Sequence, residues 1–337
     1  MAEGPTNAMK TLNHHQRYLL EEFAEAYLAR SLSRRDLLCR SLLATGSIAL
    51  TGTTLFALGC SSGDDDDDSP AATPTQPAPS ATTAAAEPSA TSAPGPTPTA
   101  ASQPDVQTGA GDIEAGGVSF PGPASDILGY LTRPAGDGPF AAILIIHENR
   151  GLLPHFEDIA RRYAAEGFVA FAIDLASRRG GSDVAAAQLG QIAPDDLVED
   201  MQAAIDYLKI QAYVNPEAIG ATGFCFGGGY TFDIAAASPD VKAAVPYYGT
   251  AGRALEIGLD QTEAAVLVMY AENDSRITGE RAAVEAALQR TGRPYEIIVH
   301  PGAGHAFFND TGGSYNEAAA TAAWAATLAW FREHLAT

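Results

Sequence analysis

Cys225 stands in the run GATGFCFGGGY, residues 220–230, flanked by two phenylalanines and surrounded by five glycines. A cysteine that only fills a core needs no such setting, because it packs as a small hydrophobe. The stretch Gly223-Phe224-Cys225-Phe226-Gly227 puts a small residue two before and two after the sulfur. That spacing suits a sharp strand-to-helix turn, where strand and helix approach closely and a strained backbone lifts a nucleophile above the sheet. A helix opening at Phe226 would aim free N–H groups and its positive dipole end at the sulfur, favouring a thiolate and any oxyanion beside it. Two plainer readings compete. Glycine-rich turns also cradle phosphate, but this run matches neither G-x-G-x-x-G nor the Walker pattern, and it lacks the lysine. The other is an inert, packed thiol.

A nucleophile needs a proton carrier and a group to orient it. Asp274, in AENDSRI, and His305, in PGAGHAFF, follow Cys225 in the order nucleophile, acid, histidine that α/β-hydrolases use. His305 would exchange protons with nucleophile and leaving group, and Asp274 would orient the imidazole. Glu272 and Asp310 are alternative acids; the place of Asp274 just past the apolar run AVLVMY favours it. Glu148 follows AAILIIH, and Arg178 follows FVAFAIDL. His147 and His300 end apolar runs and read as satisfied core or edge residues. No H-x-x-x-H or Cys/His cluster suggests a metal, and no cofactor is expected.

These side chains come from distant parts of the chain, so a scaffold must gather them. Apolar runs of buried-strand length occur at 141–147, 168–174, 242–249 and 265–271, with AIGATGF leading into the cysteine turn and YEIIVH at 295–300. Helical spacing appears near 156–166, over 195–210 with acids in its first turn, after 228, over 280–290 and over 315–335. Alternating strands and helices predict an α/β fold: a mostly parallel central sheet covered by helices on both faces. Ligands of such sheets bind outside the carboxyl ends of the strands, where all five residues fall.

The N-terminal part reads as an address. Ser33-Arg34-Arg35-Asp36-Leu37-Leu38 looks like a twin-arginine export pattern, residues 41–58 form an apolar segment, and Ala57-Leu58-Gly59-Cys60 resembles a lipobox whose cysteine is lipidated and becomes the new N-terminus. A membrane-spanning helix is the competing reading, since the apolar length only just permits one. Residues 1–60 are thus expected to be a leader. Residues 61–111, with Asp64 to Asp68 and then almost only Pro, Ala, Thr and Ser, are expected to be a disordered tether. Residues 112–337 form the expected folded domain. Cys39 and Cys60 belong to the leader, so no disulfide can form within that domain. Fourteen of the 20 Lys and Arg but thirty-six of the 41 Asp and Glu follow Cys60, which makes nucleic acid or an anionic membrane surface a poor partner for it.

The folded part resembles the dienelactone hydrolase family (carboxymethylenebutenolidases) in the motifs HENRGL, IDLASR, GFCFGG, ENDSRI and GAGHAFF, in family order and spacing. The resemblance implies an α/β-hydrolase fold and a triad of Cys225, His305 and Asp274. It implies that Glu148 holds the resting thiol and takes up its proton, that the backbone N–H groups of Asn149 and Phe226 form the oxyanion hole, and that Arg178 binds a substrate carboxylate. The implied reaction opens a cyclic enol ester to a keto acid of the maleylacetate type through an acyl-enzyme. One position departs. Asn309 stands where well-studied members carry a second arginine, and Arg150 is the residue that could compensate. The expectation is an exported, monomeric hydrolase of small esters or lactones, lipid-anchored through Cys60 on the outer face of the cytoplasmic membrane. The alternatives are a carboxylesterase with a different substrate and a non-catalytic surface lipoprotein on the same scaffold.

Overall fold

A computed structural model describes residues 113–336 together with Leu20, Leu37 and Ser41. Apart from Leu37, the twin-arginine pattern lies outside the described residues, as do Cys60 and the tether.

Eight strands among the described residues form one sheet in the order β1-β2-β4-β3-β5-β6-β7-β8. They are β1 (Ile113–Pro121), β2 (Asp126–Pro134), β3 (Phe140–Ile146), β4 (Val169–Asp174), β5 (Val214–Phe224), β6 (Val241–Tyr247), β7 (Ala265–Ala271) and β8 (Tyr295–His300). From β4 to β8 along the sheet every pairing is parallel, while β1 and β2 form an antiparallel hairpin that joins β4 antiparallel at one edge. The apolar runs become strands because both faces are covered: β4 and β7 are buried at every residue. The expected mostly parallel α/β sheet is therefore the observed one.

The helices show why they start and stop where they do. α1 (Pro154–Ala165) and α2 (Pro194–Lys209) each open on a proline, carry acids in the first turn and a base in the last, as orphan N–H groups and the dipole favour. α3 (Phe226–Ala237) is buried over nearly its whole length, which its apolar, small-residue sequence permits. α4 (Gly252–Ile257) and α5 (Arg281–Thr291) follow β6 and β7. α6 (Glu317–His334) begins two residues later than its periodicity suggests, because the Asn316 side chain caps it by accepting a bond from the Ala319 N–H at 3.1 Å.

Strand order turns back between β3 and β5: β4 lies on one side of β3, and β5 on the other. This is the switch point at which an open α/β sheet leaves a crevice beyond its strand ends. Ile146 is paired with Gly223 across it, so Glu148 and Cys225 each lie two residues beyond partners in register. Phe224 is likewise paired with Tyr247, which brings Tyr248 beside Cys225.

Candidate active site

Cys225 sits between β5 and α3 with φ 56° and ψ −115°, a conformation that L-residues rarely adopt. Its N–H donates to the Tyr247 carbonyl at 3.0 Å, and the Gly229 N–H donates to its carbonyl at 3.1 Å, so both backbone groups that a strained turn would orphan are satisfied. The flanking glycines are obligatory. A Cβ on Gly223 would strike the Gly227 carbonyl, and a Cβ on Gly227 would strike the carbonyls of Ile146 and His147. Strand β3, elbow and helix are thus in backbone contact. The side chain of Phe224 packs among Phe156, Tyr247 and Phe308, with ring centroids at 5.9, 4.7 and 5.2 Å, which holds the elbow from below. Cys225 itself is 4% exposed.

His305 and Asp274 meet directly, with Nδ1 2.6 Å from Oδ2. Asp274 is buried after β7, and its carbonyl accepts bonds from Thr278 N–H and Oγ1 at 2.9 and 2.8 Å, which fixes the loop. A carboxylate only accepts, so Nδ1 carries the proton and Nε2 is the atom left for proton exchange. The competing acids face other partners. Glu272 accepts from the Gly302 N–H at 2.8 Å, and Asp310 binds Arg162 at 2.6 Å and His155 at 3.0 Å.

Glu148 is buried just past β3. Its backbone is held by His147, whose Nδ1 lies 2.6 Å from the Glu148 carbonyl while its Nε2 accepts from the Leu175 N–H at 3.1 Å. That pattern defines a neutral imidazole, and burial lowers its pKa accordingly, with Asp174 acting in the opposite sense. His147 is therefore a satisfied structural residue, as its place at a strand end suggests. The Glu148 carboxyl receives a bond at 3.0 Å from the Nδ2 of Asn309.

Tyr248, which sequence reasoning did not single out, belongs to the same cluster. Its ring lies 5.2 Å from that of His305, and its φ of 37° is the second positive value for a non-glycine residue here. Burial pushes its phenol well above the usual value, and any negative charge on the neighbouring Glu148 or Cys225 acts in the same direction, so it stays protonated at working pH. The Tyr-Tyr pair closing an apolar strand at the sheet edge was the available signal. Ala306, next to His305, supplies the third positive φ, 60°.

Arg178 is engaged by carboxylates of its own chain. It lies on a short turn, Ser177–Arg179, after β4, with Nε 2.8 Å from Asp200, Nη1 3.0 Å from Asp196 and Nη2 3.2 Å from Glu199, all on α2. Three carboxylates already compensate one guanidinium. Asp200 is buried, and burial raises its pKa, with Arg178 pulling it back down. Arg150 is exposed after β3, and Asn149 precedes it at intermediate burial; Phe226 opens α3 directly after the elbow.

Comparison with known proteins shows the family. The profile of the "Dienelactone hydrolase family" matches residues 127–335. A "Putative carboxymethylenebutenolidase" of Escherichia coli (strain K12) is 33% identical over 249 residues, covering 68% of this chain and 90% of that protein. A Bradyrhizobium protein described as a "Probable 2-oxo-3-(5-oxofuran-2-ylidene)propanoate lactonase" is 31% identical, covering 62% and 90%. Among solved structures, a "Putative Dienelactone Hydrolase" from Klebsiella pneumoniae subsp. pneumoniae MGH 78578 superposes with a TM-score of 0.61 at 29% identity, covering 66% of this chain and 99% of that one.

Proposed function

The chain belongs to the dienelactone hydrolase family and is a carboxymethylenebutenolidase-like α/β-hydrolase; on that premise we propose that it opens small esters or lactones by nucleophilic attack from Cys225. The observation that carries the reading is the 2.6 Å contact between His305 and Asp274 at the same sheet edge as the strained cysteine elbow.

In this reading Glu148 takes the thiol proton, so that the S–H bond breaks as an O–H bond forms on the carboxyl. The sulfur attacks the carbonyl carbon, a C–S bond forms, and the carbonyl π pair moves to oxygen, where the backbone N–H groups of Asn149 and Phe226 stabilise it. Collapse breaks the C–O bond of the ester, and the leaving oxygen takes, by way of His305 Nε2, the proton that the thiol released to Glu148. A water then gives a proton to His305 and attacks the thioester, and the departing thiolate takes that proton back to restore the thiol. Asp274 keeps the imidazole in the one tautomer that serves both halves. An enol or activated alkoxide is a good leaving group, which suits a thiolate of modest basicity.

The substrate is the finer question. The description of the Bradyrhizobium relative, a lactonase named for a propanoate, supports lactones and is the argument for a carboxylated one. The occupied guanidinium of Arg178 and the neutral amide at Asn309 support substrates without a carboxylate. We therefore favour uncharged esters or lactones over carboxylated dienelactones. The test is labelling with an electrophilic lactone probe followed by mass mapping: the tag should sit on Cys225 and vanish in Cys225→Ala, and a tag elsewhere would sink the triad.

Export and anchoring are a separate proposal, resting on the twin-arginine and lipobox patterns ending at Cys60. Membrane fractionation of wild type and Cys60→Ala tests it. An equal distribution of the two between membrane and soluble fractions counts against a lipid anchor.

A further inference from the structure

Asn309 is only 7% exposed and is separated from Glu148 by 161 positions, yet the two side chains bond at 3.0 Å. The orientation of an amide is ordinarily ambiguous, because its oxygen and nitrogen look alike. Here Thr311 settles it. Its backbone N–H, which can only donate, lies 3.0 Å from Oδ1, and its hydroxyl lies 2.7 Å from the same atom. The atom facing Thr311 must be an oxygen, so the atom facing Glu148 must be Nδ2. An amide nitrogen only donates. Oε2 of Glu148 is therefore committed as an acceptor, and because a carbonyl oxygen accepts better than a hydroxyl oxygen, a proton taken up by this carboxyl goes preferentially to Oε1. Asn309 also belongs to the loop that carries His305, since its own N–H donates to the Ala306 carbonyl at 3.1 Å.

We infer that Asn309 is a positioning residue for Glu148: it biases which carboxyl oxygen receives a proton and, being uncharged, leaves that carboxyl able to change its protonation state. The inference rests on the reading above, in which Glu148 exchanges a proton with the thiol of Cys225. When it does so, the S–H bond breaks and an Oε1–H bond forms, with no other co-reactant. A guanidinium at 309 would favour the Glu148 carboxylate, and a second carboxylate there would favour its protonated form. The groups sharing the site are Cys225 after β5, Tyr248 after β6, Asp274 after β7, His305 on the Asn309 loop and neutral His147 at the end of β3. Asp310, the neighbour of Asn309, is engaged by Arg162 and His155 instead.

The experiment uses the full-length protein and the variants Asn309→Asp and Asn309→Arg. Two profiles are recorded against pH: kcat/KM for p-nitrophenyl acetate, and the rate at which iodoacetamide alkylates Cys225, followed by mass spectrometry of its peptide. The acidic limb of both should move up by about one pH unit in Asn309→Asp and down in Asn309→Arg, the directions that like and opposite charge dictate. In a Glu148→Gln background the Asn309→Asp shift should disappear, which decides the matter if the arginine variant does not fold. Shifts of the same sign in both variants, no shift, or a shift that survives Glu148→Gln would each overturn the inference. If Cys225 were not the nucleophile, Cys225→Ala would keep its activity, while the alkylation profile would still report on Asn309.

Discussion

Gly227 lies against the carbonyl of Ile146 so closely that a hydrogen fits between them and a methyl group does not. A Cβ there would also stand 2.6 Å from the His147 carbonyl, so no side-chain adjustment could relieve it. Gly227→Ala should therefore abolish soluble, folded protein or leave it inactive. Gly304, one residue before His305, has open space around its Cα, and Gly304→Ala should change stability by no more than about 0.5 kcal/mol. Thermal melts of the pair check this; equal behaviour would mean that the elbow is not under the packing constraint described.

The His305–Asp274 contact makes a second prediction. Asp274→Asn keeps the shape but cannot enforce Nδ1–H on the imidazole, and turnover should fall by roughly a thousandfold or more with little change in KM. Glu272→Gln, whose parent side chain binds the Gly302 backbone, should stay near wild type. Steady-state kinetics on one ester suffice.

Arg178 yields a prediction about stability and specificity together. Its loss leaves Asp200, whose side chain is 2% exposed, without its countercharge, at a cost of about 3 kcal/mol that Asp200→Asn should partly restore. Hydrolysis of uncharged short-chain esters by Arg178→Ala should survive wherever the protein remains folded. Wild type should prefer uncharged esters to carboxylated analogues of equal leaving group. A strong preference for the carboxylated member would reinstate a substrate-binding guanidinium.

Asp310 ties the His305 loop to α1 through His155 and Arg162. Burial pushes its carboxyl up, but the bond and charge of Arg162 and the contact with His155 outweigh that and leave it below the ordinary value. A depressed carboxyl stabilises the fold above its unfolded pKa and loses that contribution as pH falls through the folded one. Asp310→Asn should thus be less stable than wild type near neutral pH, by about 0.5–1 kcal/mol for a partly exposed pair. The two should converge in strong acid. Urea titrations at several pH values read the difference directly; a gap that widens in acid contradicts the assignment.

The scaffold was legible wherever burial on both faces forced an uninterrupted apolar run, as in β3, β4 and β7. β1 and β2 were not, because glycines and half-buried residues interrupt them and only pairing, of β1 with β2 and of β2 with β4, makes them strands. Cys225 and its glycines announced their turn because the constraint is local. The role of Asn309 left no such trace: its partner is fixed by two loops meeting, and nothing in HAFFND specifies a distant carboxyl. The acids around Arg178 were visible only as the polar face of α2, and a charge run says nothing about which cation it will meet.

Cys225, Tyr248 and Ala306 hold backbone angles costing on the order of 1–3 kcal/mol apiece, and all three border the same crevice. Several kilocalories are thus kept compressed at one end of the molecule by the rigidity of the rest. Agents that loosen the scaffold, such as mild urea or a core truncation far from the crevice, should let this end relax first. Ester turnover would then fade while far-ultraviolet circular dichroism still reports an intact sheet.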